Sequence, residues 1–248
     1  MSEIPIVGEK PLKNKELPQQ HVQRLWLVRH GATAWNLERR FMGHSDLPLV
    51  PIGRAQARWT GRRLALEHVT AIYSSDLQRA HETATIIAQQ CSLQQSITVS
   101  SVWREMSFGD WEGLTYPQIA DQYKHYLNFF SDPINHPPPG GEPFLHLLQR
   151  VRTAFTELAH DAANVETDPT NRGDIVLVSH AGAMRALLCS LLGIPLERQR
   201  QLRFDHGSLS AIDFLPAAED IAATVSLALL NVQSLARPRN QKGTSKYV

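Results

Sequence analysis

Residues 25–31 read Leu25-Trp26-Leu27-Val28-Arg29-His30-Gly31, four apolar residues that stop at Arg-His-Gly. A short apolar run of this kind predicts a buried strand. In open α/β sheets the residues just past such a strand face a crevice. An arginine and a histidine delivered there are unfavourable unless something meets them, and the natural complement of the pair is an anion. His30 is accordingly the first candidate for a functional residue.

The pattern recurs along the chain. Ile175–Val178 is a second apolar run that ends in histidine, Ser179-His180, and Ala71–Tyr73 is a third that leads through Ser74-Ser75 into a helix whose first turn holds Arg79. Pro51 and Gly53 precede a helix through about Glu67. Ser75-Asp76-Leu77-Gln78 has the form of a capping box. Leu77, Ala80, Ala84 and Ile87 then give the following helix one apolar face. Helical patterns are expected at Tyr116–Phe130, Phe144–His160 and Gly182–Leu192, with further strands at Ile97–Val99, Leu209–Phe214 and Val225–Leu230. Pro137–Gly141 reads as a rigid loop, and the stretch around His206 as a turn into a strand. This alternation predicts an α/β fold, a three-layer α/β/α sandwich with a mainly parallel sheet. It forms one domain over residues 23–235. Residues 1–22 are expected to be a flexible arm and residues 236–248 a flexible basic tail.

If the three strands are parallel neighbours, their ends open onto one crevice holding Arg29, His30, Arg79, His180 and a helix N-terminus. Positive charge, forked donors and free backbone N–H groups suit a phosphate dianion. Taken singly, each residue has a plainer reading, a structural histidine after a strand or a surface arginine in a first turn. Gly31 lets the backbone turn sharply, and Thr33 and Asn36 add neutral hydrogen-bonding groups while also reading as a helix start.

Composition narrows the field. The chain has 248 residues, 42% hydrophobic and 20% charged, with a net charge of +1, which leaves no electrostatic footprint for nucleic acid or a membrane surface. No apolar stretch is long enough to span a bilayer, and Met1–Gln20 lacks the apolar core of a signal peptide. Cys91 and Cys189 make no disulfide framework, and a cytoplasmic setting is expected. No two of the 11 histidines lie three to five residues apart, so no helical metal-ligand pair is visible. Six residues after Cys91 and Cys189 stand Ile97 and Pro195, so no cysteine-phosphatase loop is present. A Walker-type phosphate loop and a Gly-x-Ser-x-Gly elbow are also absent.

The motifs together resemble the histidine phosphatase superfamily, which holds phosphoglycerate mutases and many small-molecule phosphatases. The likeness covers about residues 24–232. It runs through Arg29-His30-Gly31 with Thr33 and Trp35-Asn36, Arg39–Gly43, Ser74–Ala80, Glu105–Gly113 and Val178–Gly182. The resemblance implies His30 as the nucleophile, Arg29, Arg79 and His180 as the phosphate pocket with Asn36 as a further contact, and Glu105 as proton donor. It implies neither cofactor nor metal. Ala32 and Ala181 depart from the residues many relatives carry there, without removing a chemical group that the mechanism needs. From the residues alone, Glu105 is matched by the plainer reading of a surface carboxylate beside Arg104, and Asp110 and Glu112 are rival acids.

The chemistry needs these residue types. A neutral imidazole attacking phosphorus splits one hard step into two, through a phosphohistidine. Arginines offset the phosphoryl charge, and His180, if protonated, adds to them. A carboxyl group protonates the leaving oxygen and then activates water. Glu105 must therefore begin protonated, which an apolar surround of Met106, Phe108 and Trp111 would favour. The expected partner is a small phosphorylated metabolite, and monomer and homodimer both stay open. Thr115–Gly141 holds one basic residue, Lys124, little provision for the second anionic group a mutase must bind. Hydrolysis is favoured over phosphoryl transfer between positions. Leu202–Asp213 and Met106–Glu112 are most similar to alpha-ribazole phosphatases, making alpha-ribazole 5′-phosphate of cobalamin biosynthesis the first substrate expected. Broad-specificity and phosphoserine phosphatases share the pattern, and a phosphoglycerate mutase or a non-catalytic phospho-ligand binder are the remaining readings. Aromatic residues near 103–130 offer a stacking surface for a flat base, though core packing explains each of them better.

Overall fold

The computed structural model describes residues 22–93, 95–164 and 173–233. The expected terminal arms, but for Val22, lie outside them. Six strands form one sheet in the order β3-β2-β4-β1-β5-β6. They are β1 (Gln23–Arg29), β2 (Val69–Ser75), β3 (Thr98–Ser100), β4 (Asp174–Ser179), β5 (Leu209–Phe214) and β6 (Ser226–Val232). The pairs β3–β2, β2–β4 and β4–β1 are parallel, and the last two strands run antiparallel. The sheet is therefore mixed, with its parallel portion running from the edge strand β3 to β1 and its antiparallel portion at the other edge.

The opening stretch shows why. Along β1, Leu25 and Leu27 enter the core on one face of the sheet, and Trp26 and Val28 enter the core on the other. Alternation with both faces apolar is the mark of a central strand covered on both sides. Helices α2 (Pro51–Leu64) and α3 (Gln78–Gln90) pack together and cover the Trp26–Val28 face through Leu64, Ala80, Ala84 and Ile87. Helices α5 (Phe144–Asn164) and α6 (Ala181–Leu192) pack together and cover the other face. The remaining helices are α1 (Ala34–Leu37), a single turn, and α4 (Tyr116–Gln122). Among the described residues no helix is long and apolar enough to cross a membrane.

Two local expectations fail for identifiable reasons. The capping box at Ser75 does not form, because the strand runs on to Ser75 and α3 begins only at Gln78. Asp76 instead pairs with Arg104 through two hydrogen bonds, and the Gln78 N–H is received by Asp46, 32 residues away. The helix expected over Tyr116–Phe130 breaks at Tyr123 (φ −123°, ψ 44°) and continues as 3-10 turns over Lys124–Phe130. There Phe129 and Phe130 pack around Trp111, which the regular 3.6-residue spacing would not achieve.

Candidate active site

In β1–β4 pairing Arg29 stands opposite Ser179, and in β2–β4 pairing Ser74 stands opposite Val178. The three strands thus end side by side, and the chains leaving them carry His30, His180 and Arg79 into one place. His30 is 3% exposed. Its Nδ1 donates to the Gly31 carbonyl at 2.7 Å. A carbonyl can only accept, so the proton sits on Nδ1 and Nε2 keeps its lone pair. The backbone is locked around it: His30 N–H donates to Ser179 O and Gly31 N–H to the Thr83 hydroxyl. Gly31 lies so close to the start of α2 that a Cβ would come within 2.3 Å of the Gly53 carbonyl. Burial first, then Arg79, His180, Arg29 and His206, hold His30 well below its ordinary pKa. It is neutral at neutral pH, as a nucleophile must be.

Arg79 is completely buried, its Nη1 donating to Ser45 O and its Nη2 to Gly43 O, while Nε is shielded without a partner. Arg29 donates from Nη1 to Phe204 O, and its Nε is likewise buried and unpartnered. Among the described residues neither guanidinium is ion-paired with a carboxylate. Burial lowers both to about 10, helped at Arg29 by Arg185, which still leaves them charged at neutral pH. Two cations turned into one place, with nearby carboxylates such as Glu105 acting on them but none ion-paired to them, suit an anion as a further complement.

His180 caps α6 with its ring centroid 5.0 Å from that of His30, and neither of its ring nitrogens has a partner. Burial, then Arg79 and Arg29, push it well below its ordinary pKa. Its surroundings therefore favour the neutral ring in the free site.

Glu105 sits between the 3-10 turns Ser101–Trp103 and Gly109–Trp111, in a stretch with no regular structure, 8% exposed. Its Oε1 accepts from Met106 N–H at 2.9 Å and its Oε2 from Gly182 N–H at 3.0 Å, at the start of α6. The expected apolar surround is thus corrected: the oxygens meet backbone amides, while Trp111 lies in an aromatic cluster with Phe41, Phe129 and Phe130. A Cβ on Gly182 would stand 2.2 Å from Oε1, so glycine is what admits the carboxylate. Among its neighbours, Glu112 is occupied by N–H donors from His44, Ser45 and Phe108 and by the Ser45 hydroxyl. Burial alone would raise it, but these bonds hold it below the usual carboxylate range. Asp110 is exposed.

The backbone at Glu105 is clamped from α5. Arg150 engages all five of its N–H donors: two on Glu142 and one each on the carbonyls of Val102, Arg104 and Glu105. His44 donates from Nε2 to the same Glu105 carbonyl. A groove of about 310 Å³ lies on the outer side of Arg150, lined by His146, Gln149, Thr153 and Glu157, but it holds none of the orphaned polar atoms that mark the crevice.

Asn36 closes a capping box at α1, its Oδ1 accepting from Thr33 N–H and hydroxyl. The helix-start reading of this segment therefore stands, and its amide NH2 is the end left for a ligand. Sequence reasoning missed Arg150, Arg185 and His206. The last lies 5.7 Å from His30 by ring centroids. Since β5 is antiparallel to β1, with Leu209 opposite Val28, the residues before β5 necessarily meet the end of β1. Only the strand order could have revealed it.

Set beside known proteins, residues 25–225 match the family model of the histidine phosphatase superfamily (branch 1). "Putative phosphoserine phosphatase 2" of Hydrogenobacter thermophilus is 33% identical over 192 residues, 77% of this chain and 89% of that protein. "Probable phosphoglycerate mutase GpmB" of Salmonella choleraesuis is 36% identical over 192 residues, 77% and 85% of the two chains. Among solved structures, a mycobacterial glucosyl-3-phosphoglycerate phosphatase matches with a TM-score of 0.73 at 30% identity, over 86% of this chain and all of that one. The alpha-ribazole phosphatase from Shigella flexneri matches with a TM-score of 0.71 at 28% identity, over 85% and 96%.

Proposed function

We propose, for a chain that belongs to the histidine phosphatase superfamily and is a phosphatase enzyme, that it hydrolyses small phosphomonoesters through a phosphohistidine at His30. The observation that carries this reading is the fixed tautomer of His30, which leaves the Nε2 lone pair free at a site where two arginines keep buried, unpartnered Nε groups. Arg29 and Arg79, with N–H donors from His180 and Asn36, hold the phosphoryl oxygens. The Nε2 lone pair attacks phosphorus while the bond to the leaving oxygen breaks, and the Glu105 carboxyl delivers its proton to that oxygen. In the second step the Glu105 carboxylate takes a proton from water, the water oxygen bonds to phosphorus, and the N–P bond breaks. Phosphate leaves and His30 is neutral again. The guanidinium groups meet the charge throughout, so the route calls on no metal.

For the substrate we infer alpha-ribazole 5′-phosphate first. The likeness of Leu202–Asp213 and Met106–Glu112 to that group and the Shigella flexneri neighbour support it. The aromatic side chains do not add to it, since Phe41, Trp111 and Phe129 are buried against one another. Lys124, the basic residue of Thr115–Gly141, is exposed, which favours hydrolysis over a mutase that must bind a second anion. The test has two parts. The His30→Ala variant is compared with wild type on p-nitrophenyl phosphate, and equal rates would overturn the nucleophile. Wild type is then ranked by kcat/KM on alpha-ribazole 5′-phosphate, phosphoserine, glucosyl-3-phosphoglycerate and 3-phosphoglycerate. Rapid formation of 2-phosphoglycerate in the presence of bisphosphoglycerate would replace hydrolysis by mutase chemistry.

A further inference from the structure

Besides His30 and His180, a third imidazole stands at the crevice, and none of the steps just given uses it. The ring of His206 is tilted 57° to that of His30, centroids 5.7 Å apart, and its Nε2 is shut off from water without a hydrogen-bond partner. The loop that carries it is fixed in place. Gly207 N–H donates to both Arg29 O (3.0 Å) and His30 O (3.1 Å), Arg29 N–H donates to Ser208 O, and the Arg29 guanidinium holds Phe204 O. From the far side the Thr60 hydroxyl donates to Gly207 O at 2.7 Å. Gly207 has a left-handed backbone (φ 67°), and a Cβ there would lie 2.5 Å from Gln56. The loop is therefore bonded to the backbone of the nucleophile itself.

A buried imidazole nitrogen without a hydrogen-bond partner is unfavourable, and native folds rarely keep one unless a ligand supplies the partner. Among the described residues no cluster of three histidine, cysteine or carboxylate groups has the arrangement to hold a metal ion, the three imidazoles included. We propose that His206 is a direct ligand of the transferred phosphoryl group, donating from Nε2 to one of its oxygens beside the His30 nitrogen; this rests on the phosphohistidine reading of the site. Burial, then Arg29 and Arg79, hold the ring well below its ordinary pKa, so it meets the phosphate as a neutral donor and adds no repulsion between cations. Loop 204–208 would then do two things at once, fixing the His30 backbone and completing the ring of donors around phosphorus.

Inorganic phosphate is the probe. Titrating it calorimetrically into wild type, His206→Ala and His206→Asn should show Kd rising about ten- to hundredfold in the alanine variant. The asparagine variant, which keeps an N–H donor, should fall between. The melting temperature of each variant checks that the fold persists. A second measurement does not depend on substitution at 206. In 15N-histidine-labelled His30→Ala protein, phosphate should shift the His206 ring nitrogens while leaving those of His68, at the opposite ends of the strands, in place. Unchanged phosphate affinity in a folded His206→Ala variant, or unmoved His206 nitrogens at saturating phosphate, overturns this inference and leaves the His30 reading intact. Failure of wild type to bind phosphate at all would bring down both.

Discussion

His30 and His180 stand at the ends of β1 and β4, two strands hydrogen-bonded to each other in parallel, whereas Glu105 stands on a segment that belongs to no strand or helix. The first pair is placed by the sheet. Backbone register sets their separation, and the apolar alternation of β1 sets which way the chain exits. Glu105 is placed by side chains reaching from elsewhere: Arg150 on α5, His44 from the 43–45 loop, and the amide of Gly182 on α6. The proposed phosphate-binding side of the site thus takes its rigidity from secondary structure, and the proposed proton-transfer side takes it from a clamp. The two sides should respond differently to substitution.

Removing Arg79 should do the most damage. In Arg79→Ala the site loses a phosphate-binding cation and the 43–45 loop loses both carbonyl anchors. We expect kcat/KM to fall on the order of 10³–10⁵-fold for every phosphomonoester, good leaving group or poor. A loss that depended on the leaving group would break the division between the two sides. Glu105→Gln should show the opposite signature. Alkyl phosphates should lose about 10²–10⁴-fold, while p-nitrophenyl phosphate, whose phenolate needs little protonation, should lose far less. Equal losses across a leaving-group series would remove Glu105 as the acid.

Arg150→Lys sharpens the comparison further, because it touches no substrate. A lysine cannot satisfy Glu142 and three carbonyls together. It should reproduce the leaving-group dependence of Glu105→Gln at a smaller size, about tenfold on alkyl phosphates, as one to two charged hydrogen bonds are lost. A uniform loss on all substrates would mean that the clamp serves stability alone. The smallest effect is on pH. His30, His180 and His206 all have folded pKa values well below 6.5. Below about 6.5 the unfolded chain binds protons that the folded chain refuses, so stability falls as pH drops from there towards the folded values. The melting temperature should decline between about pH 7 and 5, and saturating phosphate should blunt the decline. The rate, by contrast, should hold through pH 6.5 as far as His30 is concerned, since its lone pair is lost only at lower pH. A half-maximal loss of kcat/KM near 6.5, traced to His30 by its ring-nitrogen shifts, would contradict this shielding of the nucleophile.

Legibility in the sequence divides along the same line. The strands at 25–28, 71–73 and 175–178, the helix face of Leu77, Ala80, Ala84 and Ile87, and the convergence of His30, Arg79 and His180 all rest on short-range periodicity and on the residues just past a strand end. The capping box at Ser75 misled because Asp76 and Gln78 found distant partners in Arg104 and Asp46. The helix over Tyr116–Phe130 was overextended because the Trp111 cluster decides how that segment winds. Glu105 was separable from Asp110 and Glu112 only by family likeness. In the folded chain the distinction is physical: Glu112 is saturated by the 44–45 loop, and Asp110 faces solvent.

The sequence by itself determined the central strands, the helices that cover them and the strand-end residues His30, Arg79 and His180, because these depend on backbone geometry and on neighbours a few residues apart. The tertiary structure decided the placement of Glu105 and of the third imidazole. Glu105 is held across 45 residues by Arg150 and across 77 by Gly182. His206 reaches His30 because β5 runs antiparallel beside β1. Contacts at such separations follow from the order of strands and the docking of α5 and α6, which no local pattern of residues encodes.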